Sequence, residues 1–209
     1  MSKTKEKIIT AALKLFNQNG VINVRLQHIA DEAFVSVGNM AYHYHNKEAI
    51  LYTLYETITE QQKGLLAEYR IVPLFDTLNR LFQRTFRLQQ AYIFFYLDTL
   101  EIIRAYPKIG DIHQKHISFQ VSQLAAILDF NVARGALITE PRVGLFNQLA
   151  LQIWMTVDYW HNQQSVRGDK EQSEKKYLEA VWALLIPYFT NMGKQEYEQM
   201  LQNPYEFYF

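Results

Sequence analysis

Apolar residues recur every three to four positions along almost the whole chain, which is the period of an amphipathic helix. Ile8, Ile9, Ala12, Leu13 and Phe16 form one stripe. They predict a first helix over about Lys5–Asn19, with Thr4 as its N-cap and Asn19-Gly20 as its stop. Leu26, Ile29 and Ala30 belong to a second helix over about Arg25–Ala33, and a third covers about Val37–Tyr44. Asn46 is placed to cap a long fourth helix, about Lys47–Tyr69, which Pro73 terminates. The fifth helix carries Leu78, Leu81, Phe82 and Phe86, and the sixth runs from about Tyr92 to Ala105, stopped by Pro107. A seventh spans about Ile109–Arg134 and ends at Gly135. The clearest stripe is Phe146, Leu149, Ala150, Ile153, Trp154, Val157 and Trp160, in an eighth helix over about Arg142–Gln164. After an Arg167-Gly168-Asp169 turn, a ninth helix starts near Lys170, is kinked by Pro187 and stops at Gly193. A short helix, about Lys194–Leu201, precedes an aromatic tail, Tyr205–Phe209, expected to pin itself to the body or to a partner. No alternating, strand-like stretch stands out. The expected fold is all-α, with about nine to ten helices.

Composition narrows the chemistry. The 209 residues include no cysteine, which excludes disulfides, thiolate catalysis and cysteine metal sites. The polar N-terminus is unlike a signal peptide, and no apolar run approaches the ~18 residues of a membrane span. A cytoplasmic protein with no membrane association is the expectation. Lys plus Arg and Asp plus Glu both number 21, so any basic footprint must be local. Residues 1–50 lean to +2 through Lys3, Lys5, Lys7, Lys14, Arg25 and Lys47 against Glu6, Asp31, Glu32 and Glu48. His113 and His116 lie three apart on one helix, but two ligands do not make a metal site, and a solvated face is the expected reading. Gly-rich phosphate loops, nucleophilic Ser motifs and His-Glu-x-x-His are all missing. No catalytic residue, metal or cofactor is expected.

The short second and third helices flank a tight junction at Phe34–Ser36, and the third carries Asn39, Tyr42 and His43 on an exposed face. A helix-turn-helix has this form when its second helix reads the DNA major groove. Leu15-Phe16, Gly20, Ile29-Ala30, Val35-Ser36-Val37-Gly38, His43-Tyr44 and Lys47-Glu48 follow one another in order and spacing. In this the N-terminal quarter resembles the tetracycline-repressor (TetR/AcrR) family of bacterial regulators. Three positions depart from the family pattern. Phe34 stands where the family has a turn glycine, so another turn geometry is expected. Val24-Arg25 replaces the usual Thr or Ser on phosphate, and Ala41 takes the place of the recurring Tyr, with Tyr42 one residue later.

The expected division is a DNA-binding domain over residues 1–46 and an effector-binding and dimerisation domain over 47–209. Base-edge candidates are Ser36, Val37, Asn39 and His43; Asn suits adenine and Val a thymine methyl. Arg25, Tyr42 and Lys47 are candidates for phosphate, with Gln27 and Gly38 alongside. The resemblance implies an effector pocket among the fourth to eighth helices. Tyr92, Phe95, Tyr96, Glu101, His116, Phe119, Gln120, Trp154 and Tyr159 are the candidates for a mostly apolar or aromatic ligand. It also implies a homodimer built on the eighth and ninth helices, through Phe146, Leu149, Ile153, Val157, Trp160, Val181, Leu185 and Tyr188. The leading expectation is a dimeric repressor released from operator DNA by such an effector. A dimeric regulator without small-molecule control, or a helical interaction module without DNA binding, stays open.

Overall fold

The computed structural model describes residues 2–69, 71–169 and 173–202. Its helices are α1 (Lys3–Asn19), α2 (Leu26–Glu32), α3 (Val37–His43), α4 (Lys47–Tyr69), α5 (Phe75–Ala91) and α6 (Ile93–Ala105). There follow α7 (Pro107–Ala133), α8 (Leu145–Asp158), α9 (Trp160–Val166), α10 (Glu174–Leu185) and α11 (Asn191–Gln202). Among the described residues there is no strand, only one antiparallel bridge between Leu137 and Phe189. None of the described helices is long and apolar enough to cross a membrane.

Several boundaries differ from the expected ones for local reasons. Ser2, not Thr4, caps α1, its Oγ accepting from Lys5 N–H at 3.4 Å. The eighth helix divides at Tyr159, whose backbone leaves the helical region (φ −99°, ψ 6°). Pro187 ends α10 rather than kinking it, and Ile186–Tyr188 form a 3₁₀ turn. Gly193 is not a stop. It sits in the first turn of α11, where a Cβ would collide with the carbonyl of Ala136. The tail at 205–209 and the expected start at Lys170 lie outside the described residues.

The chain gathers into two compact units. The first comprises residues up to Gln62 and Leu88–Lys115. Here α1 packs on α2 and α6, and α2 on α3. Ile8, Phe16, Ile29, Met40, Ile50, Leu54 and Phe94 are buried in it. Of the stripe read from sequence on the first helix, Ile8, Ala12 and Phe16 are core, joined by Ala11, while Ile9 and Leu13 are half-buried. Phe16 and Phe94 meet with ring centroids 5.5 Å apart. Asn17 ties α1 to the start of α6, its Nδ2 donating to Ala91 O at 2.9 Å and its Oδ1 accepting from Phe94 N–H at 3.2 Å. Gly20 closes α1 at φ 72°, and a Cβ there would come within 3.1 Å of the Asp98 carboxylate. Asp98 itself breaks α6 with non-helical angles.

The second unit holds residues 63–87 and 116–209. Its core is aromatic. Phe75, Phe82, Trp182, Phe189 and Tyr197 meet ring to ring at 4.8–6.2 Å. The Trp182 indole donates to Asn79 Oδ1 at 2.9 Å, which satisfies its buried N–H. Glu196 on α11 accepts both guanidinium branches of Arg134 (2.6 and 2.9 Å) and the Phe75 N–H (2.8 Å), fastening α11 to α5 and α7.

Candidate nucleic-acid interface

The helix-turn-helix is assembled from backbone chemistry outward. α2 ends at Ala33, after which Phe34 N–H donates to Asp31 O (3.1 Å) and Val35 N–H to Ala30 O (3.0 Å). This is a Schellman stop, and its left-handed position is normally glycine. Phe34 occupies it at φ 55°, the one non-glycine residue at positive φ among those described. The turn thus keeps the glycine geometry, contrary to the expectation from its bulk. The left-handed region costs an L-residue about 1–2 kcal/mol. The paired hydrogen bonds and the anchored helices on either side hold it there.

Ser36 then caps α3, its Oγ accepting from Asn39 N–H at 3.1 Å. Met40 is the buried residue of α3, so the helix is pinned by one side and shows the other. Val37, Gly38, Asn39 and Tyr42 are all exposed, Tyr42 by 84%. His43 is half-buried, and its ring stands edge-on to Tyr42 at 5.1 Å. A Cβ on Gly38 would meet nothing within 4 Å. The protein's own packing therefore makes no demand for glycine there, and the bare backbone leaves clearance for an outside partner.

Arg25 caps α2, but arginine has no acceptor. Only the reciprocal half of a capping box forms, Arg25 N–H donating to His28 Nδ1 at 3.2 Å. The Arg25 side chain is exposed. Gln27 is exposed as well, with its amide on Asp31 at 2.7 Å. Lys47, a phosphate candidate from the sequence, has its ammonium engaged within the protein. Its ammonium donates to Val21 O at 2.8 Å and Val24 O at 3.0 Å, and burial pushes its pKa down. Two of its three N–H bonds thus brace the α1–α2 loop. Asn46 Oδ1 caps α4 on Ala49 N–H at 2.8 Å, as expected.

Residues 8–53 match the family model described as "Bacterial regulatory proteins, tetR family", and residues 54–197 match that described as "Bacterial transcriptional repressor". The chain belongs to the TetR family of bacterial transcriptional regulators. It is a DNA-binding regulator, and its family is one of regulators, not enzymes. Solved structures share the fold. A TetR-family regulator from Marinobacter aquaeolei VT8 superposes with a TM-score of 0.83 at 22% identity, over 96% of this chain and 98% of that one. A TetR regulator from Haloarcula marismortui gives 0.73 at 16% identity, over 91% and 100%. The fatty acid degradation regulator FadR from Bacillus halodurans gives 0.70 at 18%, over 89% and 96%.

The pocket candidates of this TetR-family chain fall in both units. In the first, Phe95 and Tyr96 are buried with rings 5.7 Å apart, Tyr92 closes the start of α6, and Glu101 faces solvent. In the second, the Trp154 indole donates to Gln120 at 3.2 Å and stands edge-on to Tyr159 at 5.9 Å. His116 stacks with Phe119 at 6.3 Å. A buried apolar cavity of about 10 Å³, lined by Phe75, Leu78, Leu124, Ile127, Ile153 and Leu185, lies elsewhere in that unit.

The two histidines of α7 are buried, not on a solvated face. His113, 5% exposed, shares a 3.0 Å hydrogen bond through Nδ1 with Tyr55 Oη, inside a box of Tyr55 and Phe95 rings. Burial pushes its pKa down to about 4, and its buried Nε2 has no partner. Sequence gave little sign of this group, because a helical His looks alike whether it faces core or water. Among the described residues no three His, Asp or Glu gather as a metal set.

Of the expected dimer residues, Trp160 lies on α9 and Tyr188 in the 3₁₀ turn, and Phe146, Leu149, Ile153, Val181 and Leu185 on α8 and α10 are buried within the second unit itself, where those two helices pack. Val157, Trp160 and Tyr188 are half-buried. The strongest apolar stripe was strong because it feeds the protomer's own core. Met155, Tyr159 and Ile186 are the large apolar side chains left outward beside it.

Proposed function

We propose that this chain acts as a homodimeric repressor, docking the exposed face of α3 in the major groove of operator DNA and releasing it when a small, mostly apolar or aromatic effector binds. The observation that carries the reading is the α3 face. A seven-residue helix is pinned through Met40, capped by Ser36, and shows Val37, Asn39 and Tyr42 around an uncrowded Gly38. Val37 and Asn39 suit base edges, and Arg25 and Tyr42 suit phosphate. Two copies related by a two-fold axis, joined through the outward side of α8 and α10 with Met155 and Ile186, read a palindrome.

The link from sensor to reader runs within the first unit. The Phe16–Phe94 contact, the Asn17 bridge and the Gly20–Asp98 approach couple α6 to α1, the helix on which α2 rests. An effector that binds one setting of α6 more tightly shifts the dimer toward it, by no more than its difference in affinity. The unpartnered His113 Nε2, boxed by Tyr55 and Phe95, suits the polar end of an otherwise apolar ligand. FadR's description as a fatty acid degradation regulator is in keeping with an apolar effector class.

A second reading, regulation without a small molecule, is favoured by the apolar cavity of about 10 Å³, which holds little more than one water, since the larger spaces of about 330, 450 and 570 Å³ are open clefts. Ligand pockets usually run to about 300–1,000 Å³. The test is operator affinity with and without fatty acids, acyl esters and aromatic acids. A ligand-dependent loss of binding supports the first reading. Unchanged affinity across that panel, with tight binding throughout, favours the second.

A further inference from the structure

Phe34 combines two costs that a protein does not ordinarily carry together. Its backbone is left-handed at φ 55°, and its ring is 91% exposed. The ring forms one rim of an open cleft of about 450 Å³ against α1, lined also by Ala11, Ala33, Lys3, Lys7 and Lys14. It leaves that cleft unfilled, although apolar cover is at hand. Nothing among the described residues accounts for a phenyl group at this place. Strained, exposed residues that persist are found where an outside partner uses them.

The position identifies the partner. Phe34 lies two residues before Ser36, the cap of α3. Two residues of chain span at most about 7 Å, against a major groove about 12 Å wide. With the start of α3 in the groove, this short span keeps the Phe34 ring within reach of the groove's edge and one bordering strand. That edge is deoxyribose and phosphate. A phenyl ring has no donor or acceptor, so its favourable contact there is with the sugar carbons. We infer that Phe34 is a DNA-contacting residue that packs its ring on the deoxyribose of the strand bordering the α3 groove. The Schellman turn fixes the ring outward, so ordering it on the DNA costs little. This inference rests on the reading of α3 as the groove helix.

The test starts with the full-length protein and a library of random duplexes, from which bound sequences are enriched and the best one is used as the probe. Phe34→Gly and Phe34→Asn remove both strain and ring, and both residues tolerate the left-handed region. Their thermal midpoints are expected to rise by a few degrees, about 2–4 °C per kcal/mol for a chain of this size. Their affinity for the probe is expected to fall about tenfold, as for the lost burial of part of a phenyl ring. The slope of log affinity against log salt should stay at the wild-type value, because no charge is lost. Phe34→Tyr, which keeps the ring, should bind within about threefold of wild type, by the same burial argument. If Phe34 is strictly structural, midpoints rise all the same but affinity is unchanged or improved, and that affinity result overturns the inference. Loss of affinity in Phe34→Tyr as deep as in Phe34→Gly also overturns it. If the wild-type protein enriches no duplex, the groove reading of α3 fails first and this inference falls with it.

Discussion

Lys47 offers a direct contest between a DNA contact and a structural brace. Its place at the start of α4, beside the helix-turn-helix, suggests phosphate. Its ammonium instead sits on the carbonyls of Val21 and Val24, both residues of the α1–α2 loop and both buried. That loop sets where α2 begins and so where α3 points. Lys47→Met keeps the stem's packing and removes the two donors. Hydrogen bonds to charged groups contribute about 1.5–3 kcal/mol each when buried. The ammonium is only partly buried, so we expect about 2 kcal/mol for the pair, lost from the urea-unfolding free energy at constant slope. DNA titrations over a salt series supply the second axis. A brace leaves the salt slope at the wild-type value, even if affinity drops because α2 and α3 have shifted. A phosphate ligand lowers the slope by about one, since one counterion fewer is released. Stability within about 0.5 kcal/mol of wild type, together with that lower slope, would refute the brace.

Two further outcomes follow from individual side chains. Asp158, fully buried at the end of α8, has its pKa raised by desolvation from 3.8 to about 7. A raised carboxyl pKa means the folded state holds its proton more tightly. The associated stability is intact below the unfolded value and is lost as pH rises from about 4 to 7. Asp158→Asn, which mimics the protonated acid, should then stabilise the protein by on the order of 4 kcal/mol above pH 7 and by nothing near pH 4, measured by denaturant unfolding across that range. A gain that does not vary with pH would refute this account. Asn39→Ala should weaken binding by about 1–3 kcal/mol and broaden base preference at one position per half-site, read by repeating the duplex selection. An unaltered sequence preference would remove Asn39 from the base-reading set.

Much of the first unit was legible in the chain. The α1 stripe, the capping Asn46, and the Val35-Ser36-Val37-Gly38 run are local statements. Helical period, cap chemistry and turn residues each depend on a few neighbours, so the sequence carries most of this, the cap of α1 at Ser2 and the left-handed Phe34 being the exceptions. The short helix α3 was legible for the same reason. A short helix needs only one buried anchor, Met40, and apart from the half-buried His43 the rest of it is exposed. Even the surprise at Phe34 was local, with neighbours on both sides imposing the glycine geometry on a residue that pays for it in strain.

What the sequence could not hold was destination. The stripe Phe146-Leu149-Ile153 on α8 marks an apolar face, but an apolar face buries equally well against its own protomer or against a second one. Only the packing of α8 on α10 decided that these side chains are core and that Met155 and Ile186 face out. His113 and Lys47 teach the same lesson for polar groups. A helical histidine three residues from another reads as a solvated face, until Tyr55 and Phe95, more than fifteen residues away in sequence, close around it. Lys47, at the start of α4, reads from sequence as a phosphate candidate, and only the fold shows its ammonium donating to two carbonyls some two dozen residues earlier in the chain. Periodicity is set by chain neighbours and was determined by the sequence alone, as were the caps at Ser36 and Asn46, while at α1 two hydroxyls competed and Ser2 took the place expected of Thr4. Burial and hydrogen-bond partners are set by segments far apart in the chain, and those only the tertiary structure decided.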